Sequence, residues 1–532
     1  MARRLLPLLC RVVSAVLTAG LFAGPAAALT PQQARALVAG EAESRIAALN
    51  AVLAGADERT IALVQAIADD AVKFTDTAVF VVKDAKGIDP VTGAEVPVPE
   101  AAEDVINNNQ MRGELDAALA SIKLFSAQTS VRADAVKTLA SQPDEAKLPV
   151  IEKAYAAEQV PAIKAALAAL RAALLLGSAD VGKRLEAAKS LGATGTPATK
   201  TLLLDRQKVE TDPAVKGAIV GSLDQIEGRL AWGERLGVIF TGISLGSILL
   251  LVALGLAITY GLMGVINMAH GELMMIGAYA TYVIQNLFKA YLPGLFDYYV
   301  LLAVPASFLA AALVGAVMER SVIRFLYGRP LETLLATWGI SLVLQQGVRT
   351  LFGAQNVPVE NPAWLSGGVQ AMSNLTLPFN RIAIIAFAVL VLLGVSALIA
   401  RTRLGLFVRG VTQNRKMAAC MGVNTARIDT YAFALGSGIA GLAGCALSQV
   451  GNVGPDLGQG YIVDSFMVVV LGGVGQLAGT VYAAMGLGVL NKLLEGWQGA
   501  VLAKIMVLVF IVIFIQKRPQ GIFAMKGRSA EA

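Results

Sequence analysis

From residue 236 onward the chain alternates long charge-free stretches with short charged ones. Stretches without Lys, Arg, Asp or Glu cover 236–269, 273–288, 298–318, 333–348, 382–400, 430–455 and 465–491, with a shorter one at 505–516. A membrane-spanning helix needs roughly 20 apolar residues. This part of the chain is therefore expected to be a polytopic helical membrane protein. Ahead of it, from about residue 30 to 234, apolar residues recur at helical spacing among charged ones: Leu37, Ile46, Leu49 and Leu53 in one segment, Val131, Val136 and Leu139 in another. That pattern predicts a helical domain facing water.

Within this domain VRADAVKTLAS from 131, GKRLEAAKSLGATG from 182 and PAVKGAIVGSLDQIEG from 213 look alike. They resemble HEAT-type repeats, in which each helix pair buries its apolar face only against its neighbours. The spacing is irregular, and a plain helical bundle stays open beside it. Residues 74–110, with Gly87, Pro90, Gly93, Pro97, Pro99 and three consecutive Asn, lack any period and read as a loop or two short strands. Gly177 to Arg184 matches a phosphate-binding loop except that Arg184 stands where a magnesium-binding Ser or Thr belongs, and it follows a helix instead of a strand. It reads as one helix ending and the next beginning, so no ATP site is expected in this chain.

Composition agrees with the pattern. The chain is 56% hydrophobic and 15% charged, whereas soluble domains carry about 25% charged residues. Residues 1–28 hold 3 Lys and Arg and no acid, 29–236 hold 23 basic residues against 28 acidic, and 237–532 hold 18 against 10. Three different pieces follow. Met1 to Ala28 has Arg3 and Arg4, an apolar run from Val12 to Ala23 and a closing Ala26-Ala27-Ala28, which predicts a cleaved secretory signal peptide. Residues 29–234 are the soluble helical domain and 235–532 the membrane domain, so the expected class is all-α. One His and three widely spaced Cys exclude a zinc site, and no cofactor is expected. The net charge of +6 is the remainder of basic loops over an acidic domain, not the mark of a nucleic-acid partner.

Orientation follows from the cations. Arg320, Arg324 and Arg329 lie in 319–332; Arg401, Arg403, Arg409, Arg415, Lys416 and Arg427 in 401–429; Lys517, Arg518, Lys526 and Arg528 in the tail. These segments should face the cytoplasm, amid membrane lipid, and 353–380 and 451–464, which lack Lys and Arg, the other side. Counting back places residues 29–234 outside, in a periplasm, and the carboxy terminus inside. Seven or nine crossings are expected, depending on whether 465–491, interrupted by Gly472, Gly473, Gly475 and Gly479, is a broken pair of helices.

Polar groups inside apolar segments are the candidates for function, because burying them in hydrocarbon is costly. Asn267, His270 and Glu272 fall in a Gly-containing break between two apolar runs, which suits a discontinuous helix lining a cavity. A tight cytoplasmic turn capped by Glu272 is the alternative. Asp464 and Ser465, followed by VVVLGGVGQLAGT, form a second break in the carboxy-terminal half. Gln345 and Gln346 are placed to bond a solute or a neighbouring helix. Gly436, Gly438, Gly441 and Gly444 suit close helix packing. The basic loop 401–429 reads as an amphipathic helix on the cytoplasmic face, either anchoring topology or docking a partner.

GVINMAHGELMMIGAY from 264, GLFVRGVTQNRKMAACMGVNTARID from 405, VVVLGGVGQLAGT from 468 and KRPQGIF from 517 resemble the permeases of branched-chain amino acid and urea ABC importers. The resemblance covers 237–528. Residues 334–368 and 448–466, with the long domain ahead of the membrane part, resemble the urea type. The resemblance implies a non-enzymatic subunit in the inner membrane of a bacterium. It implies a second permease subunit, two cytoplasmic ATPases and a periplasmic solute-binding protein as partners, and urea as substrate, with branched-chain amino acids the alternative. It also implies that 401–429 meets the ATPases through Arg409, Arg415, Lys416, Ala418, Ala419 and Gly422, although the Glu of the family's loop motif is absent. A membrane-anchored HEAT-like scaffold is the competing class; a single span would serve an anchor.

Overall fold

The computed structural model describes residues 29–523 apart from 54–57, 76, 84–85, 100, 142 and 265. The expected signal peptide, 1–28, and the basic residues Lys526 and Arg528 lie outside the described residues. The chain forms two compact units, one up to Arg229 and one from Leu230.

The first unit opens with α1 (Pro31–Val38), α2 (Ala42–Leu53) and α3 (Glu58–Ala68). Thr30 starts α1 as a reciprocal capping box with Gln33, ahead of Pro31 at the first helical position. Five short strands follow: β1 (Val72–Phe74), β2 (Val79–Lys83), β3 (Lys86–Ile88), β4 (Glu95–Val96) and β5 (Glu103–Asp104). They pair antiparallel in the order β4-β3-β2-β1-β5. Where the sequence predicts a loop or two strands there is thus a five-stranded sheet. Strands of two to five residues are too short to show a period of two, and their prolines and glycines sit in the turns. Helix α4 (Asn109–Lys123) closes this part over a core of Leu37, Leu49, Leu63, Ile67, Met111 and Leu115.

Six helices come next: α5 (Thr129–Ser141), α6 (Leu148–Ala157), α7 (Pro161–Leu175), α8 (Val181–Thr194), α9 (Pro197–Val209) and α10 (Pro213–Met263). They are two copies of a three-helix unit, one helix more than the expected pair. Each copy carries the same clamp. Arg132 donates from Nε and Nη2 to Glu158 and from Nη1 to the carbonyls of Ser126 and Ala127. Arg184 does the same to Glu210, Ser178 and Ala179. Each Glu also accepts backbone N–H groups just ahead of the proline that starts the next helix, where the helix dipole favours negative charge. The Arg132 hydrogen bonds, with that of the Val160 N–H, hold the Glu158 carboxyl down at about 2. At Glu210 burial pushes the carboxyl up, but the bonds from Arg184, Asp212 N–H and Arg206 outweigh it and leave it at about 2. The segment resembling a phosphate loop is the turn between α7 and α8, with Asp180 capping α8 and Arg184 committed to its clamp.

The second unit contains the rest of α10, then α11 (His270–Tyr291), α12 (Tyr299–Ser321), α13 (Pro330–Phe352), a hairpin of β6 (Gly368–Met372) and β7 (Leu375–Pro378), and α14 (Phe379–Arg401). Short helices α15 (Arg403–Gln413) and α16 (Arg415–Cys420) lead to α17 (Thr425–Ser448), α18 (Gln459–Gly472), α19 (Leu477–Gln498) and α20 (Ala500–Lys517). Against the seven or nine crossings expected, six helices are both long and apolar enough to span a membrane among the described residues: α10, α12, α14, α17, α19 and α20. Helices α11 and α13, at 22 and 23 residues, have the length but carry polar groups on one face. At 14 residues, α18 is short of a span.

Helices α11, α12 and α17 form the centre. A Cβ on Gly441 or Gly444 of α17 would run into the backbone of Ser307 in α12 or of Met274 in α11. Gly436 and Gly255 of α10 approach in the same way. Only small residues let helix backbones come this close, and in lipid that packing is what associates helices.

Candidate functional site

Helix α10 stops before the break and α11 starts after it. Gly264 takes a left-handed φ of 64°, Asn267 Oδ1 accepts the Ala269 N–H at 3.0 Å, and the Met268 N–H donates to Thr337 Oγ1 at 3.2 Å. The first residue of α11, His270, is fully buried and places Nε2 3.1 Å from the Val252 carbonyl of α10. The break is therefore tied to helices on both sides.

Two residues on, Glu272 is buried and its Oε1 accepts two bonds from α13, from Ser341 Oγ at 3.0 Å and Gln345 Nε2 at 2.7 Å. Thr333, Thr337, Ser341 and Gln345 stand every fourth residue and are all buried, while Leu335, Trp338, Leu342 and Val343 on the other side of α13 are exposed. Residues four apart share a helix face, so α13 turns a polar stripe inward, of which Ser341 and Gln345 meet Glu272 and Thr337 meets the break, and an apolar surface outward. Near the middle of α11, the Tyr279 ring centroid lies 4.7 Å from that of Phe352, among Met275, Val348 and Val453.

Several buried atoms of this region have no protein partner: Asn267 Nδ2, His270 Nδ1, Glu272 Oε2 and Tyr279 Oη. An unpaired buried polar atom ordinarily costs about 1–3 kcal/mol. Asn267 belongs to the break, and Glu272 and Tyr279, seven residues apart, share one side of α11, so that an amide donor, an acceptor carboxylate oxygen and a phenol are left without protein partners there. Such a set can exchange hydrogen bonds with a small polar solute.

The second break lies where α18 ends and α19 begins, beyond Asp464 and Ser465, which the structure places inside α18 and not at the break. Gly473 and Gly475 take φ of 98° and 77°, and Gly475 approaches Gly261 of α10. The segment after α20 covers it, with the Ile522 N–H donating to the Leu471 carbonyl at 2.8 Å. Ser465 is buried with its hydroxyl unpaired. Asp464 is partly exposed and feels the charge of Lys504 on α20, with no contact to the Glu272 cluster. Gln346 lies on the exposed side of α13, outside the cluster.

In the basic loop, Arg409 donates to the carbonyl of Gly405 in its own helix. Lys416 and Ala419 are exposed, Ala418 is partly buried, and Gly422 ends α16 in the left-handed region at φ 84°, with its N–H on the Ala419 carbonyl and that of Val423 on Ala418. A glycine there avoids the Cβ penalty of that conformation. Leu406, Phe407, Met417 and Met421 are exposed and line an apolar groove of about 310 Å³ with Ala418 and Val423.

The sequence reading missed Thr333, Thr337, Ser341 and Tyr279. A Thr or Ser in an apolar helix usually bonds its own preceding carbonyl, as Thr333 and Thr337 also do. The signal available was their common spacing of four with Gln345.

A bundle of apolar helices, broken twice and holding buried polar groups beside a break, defines a multi-pass membrane transport protein. The comparisons place it more closely: the chain belongs to the family described as branched-chain amino acid transport system permease component, which matches residues 238–515. It is 29% identical over 293 residues to the high-affinity branched-chain amino acid transport system permease protein LivH of Salmonella typhimurium, covering 53% of this chain and 93% of the relative. It is 28% identical over 285 residues to the corresponding permease protein BraD of Pseudomonas aeruginosa, with the same coverage. The autoinducer 2 import system permease protein LsrC of Yersinia pseudotuberculosis is 28% identical over 216 residues, 39% of this chain and 60% of the relative. No solved structure matches the chain. The first compact unit precedes the family match.

Proposed function

We propose that the chain is the permease subunit of an ATP-driven importer for a small nitrogenous solute, with Asn267, Glu272, Ser341 and Gln345 lining the path. The observation that carries the reading is Glu272: a buried carboxylate with one oxygen held by Ser341 and Gln345 and the other unpaired. Such an oxygen suits N–H donors, which the ammonium of an amino acid and the amide groups of urea both supply. The names of the relatives support branched-chain amino acids. The urea reading draws on residues 334–368 and 448–466, which resemble the urea type, and on the unit ahead of the family match.

In this reading a second permease subunit completes the path, two cytoplasmic ATPases drive it, and a periplasmic binding protein delivers the solute. Residues 29–234 stand in the periplasm and the carboxy terminus in the cytoplasm. The exposed apolar residues beside the basic ones of 401–429 form the docking surface for an ATPase, since an apolar core within a charged rim is the usual make-up of an interface. Deleting the gene and measuring labelled urea and labelled leucine uptake at micromolar supply tests the solute. Loss of urea uptake alone supports the urea reading; loss of leucine uptake alone supports the amino acid reading; loss of neither contradicts both.

A further inference from the structure

Arg415 belongs to the residues expected to face an ATPase; its side chain is 42% exposed, yet its guanidinium reaches a buried partner. It pairs with Asp429 in the second turn of α17, whose carboxylate is fully buried. It also lies over the ring of Tyr327, 4.9 Å from the centroid. The Tyr327 hydroxyl donates to Glu319 Oε1 at 3.1 Å, and Glu319, at the foot of α12, is itself fully buried. Thr430 Oγ1 donates to Glu319 Oε2 at 2.6 Å, and Arg324 reaches both Glu319 and Thr430. Two buried carboxylates, two guanidinium groups, a phenol and a hydroxyl thus join α16, the segment before α13, α12 and α17.

The placement has a mechanical meaning. Between α16 and α17 the backbone passes through the left-handed turn at Gly422, which on its own would let α16 shift without α17. The Arg415–Asp429 pair spans that turn. Helix α17 in turn packs through its small residues on both α12 and α11, and α11 carries Glu272. Removing one partner of such a pair leaves a buried charge uncompensated, so the arrangement has two ends that must stay together.

We infer that Arg415 is a positioning residue for coupling: through Asp429 and Tyr327 it fixes α16 to the foot of α12 and α17, so that a displacement of the loop is passed to the helices holding Glu272. The inference rests on the reading of 401–429 as the ATPase-facing loop.

The test uses the complete importer in proteoliposomes, with solute uptake and ATP hydrolysis measured on the same samples for the unaltered chain, Arg415→Gln, Arg415→Lys and the exchange of Arg415→Asp with Asp429→Arg. The exposed thiol of Cys420 reports contact with the ATPase by cross-linking. Arg415→Gln is expected to lower uptake per ATP hydrolysed about tenfold, the size of an ordinary coupling energy, with Cys420 cross-linking unchanged and Arg415→Lys recovering most of the loss. Uptake per ATP within about twofold of the unaltered chain, well below a coupling effect of that size, overturns the inference. So does loss of the cross-link together with uptake, which would make Arg415 a direct contact. Should Arg415→Gln fail to accumulate, the exchange decides: recovered uptake supports the tie, and none overturns it. If Cys420 of the unaltered chain does not reach the ATPase, the loop reading fails first and the inference with it.

Discussion

Glu272 is the residue on which the transport reading turns. Its partnered oxygen gives Ser341 and Gln345 their acceptor, and its other oxygen is buried without a protein partner. Glu272→Gln keeps the shape and removes the charge. Hydrogen bonds to a charged group contribute about 1.5–3 kcal/mol, so solute uptake should fall roughly ten- to a hundredfold, while the amount of protein in the membrane stays level. Uptake equal to that of the unaltered chain would take Glu272 off the path. In the first unit Glu158 gives a prediction of a different kind. Its carboxyl sits at about 2, against an ordinary 4.5, because Arg132 and the Val160 N–H bond its charged form. A lowered folded-state value contributes stability that is complete above about 4.5 and is lost as pH falls through about 2. Proteolytic sensitivity of the full chain, compared with Glu158→Gln, should therefore differ at pH 6 and converge between pH 4.5 and 2. A difference that stays constant to pH 2 would contradict the assignment.

At the scale of elements, the two breaks were legible because each replaces an apolar run with glycines and polar residues, and the structure stops helices at both. The close packing of α17 was legible from the spacing of its glycines. A Gly444→Val substitution should abolish a well-packed bundle, since the new side chain meets the Met274 backbone of α11. Thermal stability of the purified protein in detergent would show it, and an unchanged melting point would deny the contact. The polar stripe of α13 was only partly legible: Gln345 stood out, whereas Thr333, Thr337 and Ser341 are residues that apolar helices tolerate without further meaning. The sheet between Val72 and Asp104 was not legible at all beyond a possible pair of strands. Its strands are too short to show an alternation, its β1–β5 pairing is distant in sequence, and Gly87 is required there because the Val96 carbonyl and Val98 side chain crowd the place of a Cβ. The role of Arg415 escaped for a similar reason. A cation in a basic loop looks like its neighbours until the fold brings Asp429 and Tyr327 beside it.

At the scale of the whole molecule, an acidic and cysteine-free helical unit precedes a basic membrane bundle whose family is that of importer permeases. The cation distribution predicts the first unit outside and the tail inside. Protease added to spheroplasts should digest residues 29–234 and spare a tag after Ala532; digestion of the tag alone would invert the topology. We propose ATP-driven passage of a small nitrogenous solute through the cluster at Glu272. The most direct measurement is uptake of labelled urea and labelled leucine into proteoliposomes holding the complete importer, with ATP supplied or withheld, for the unaltered chain and for Glu272→Ala. The expected result is uptake of one solute that requires ATP and falls to background in Glu272→Ala. Uptake of neither solute, or uptake of either that proceeds without ATP or survives the loss of Glu272, would contradict it.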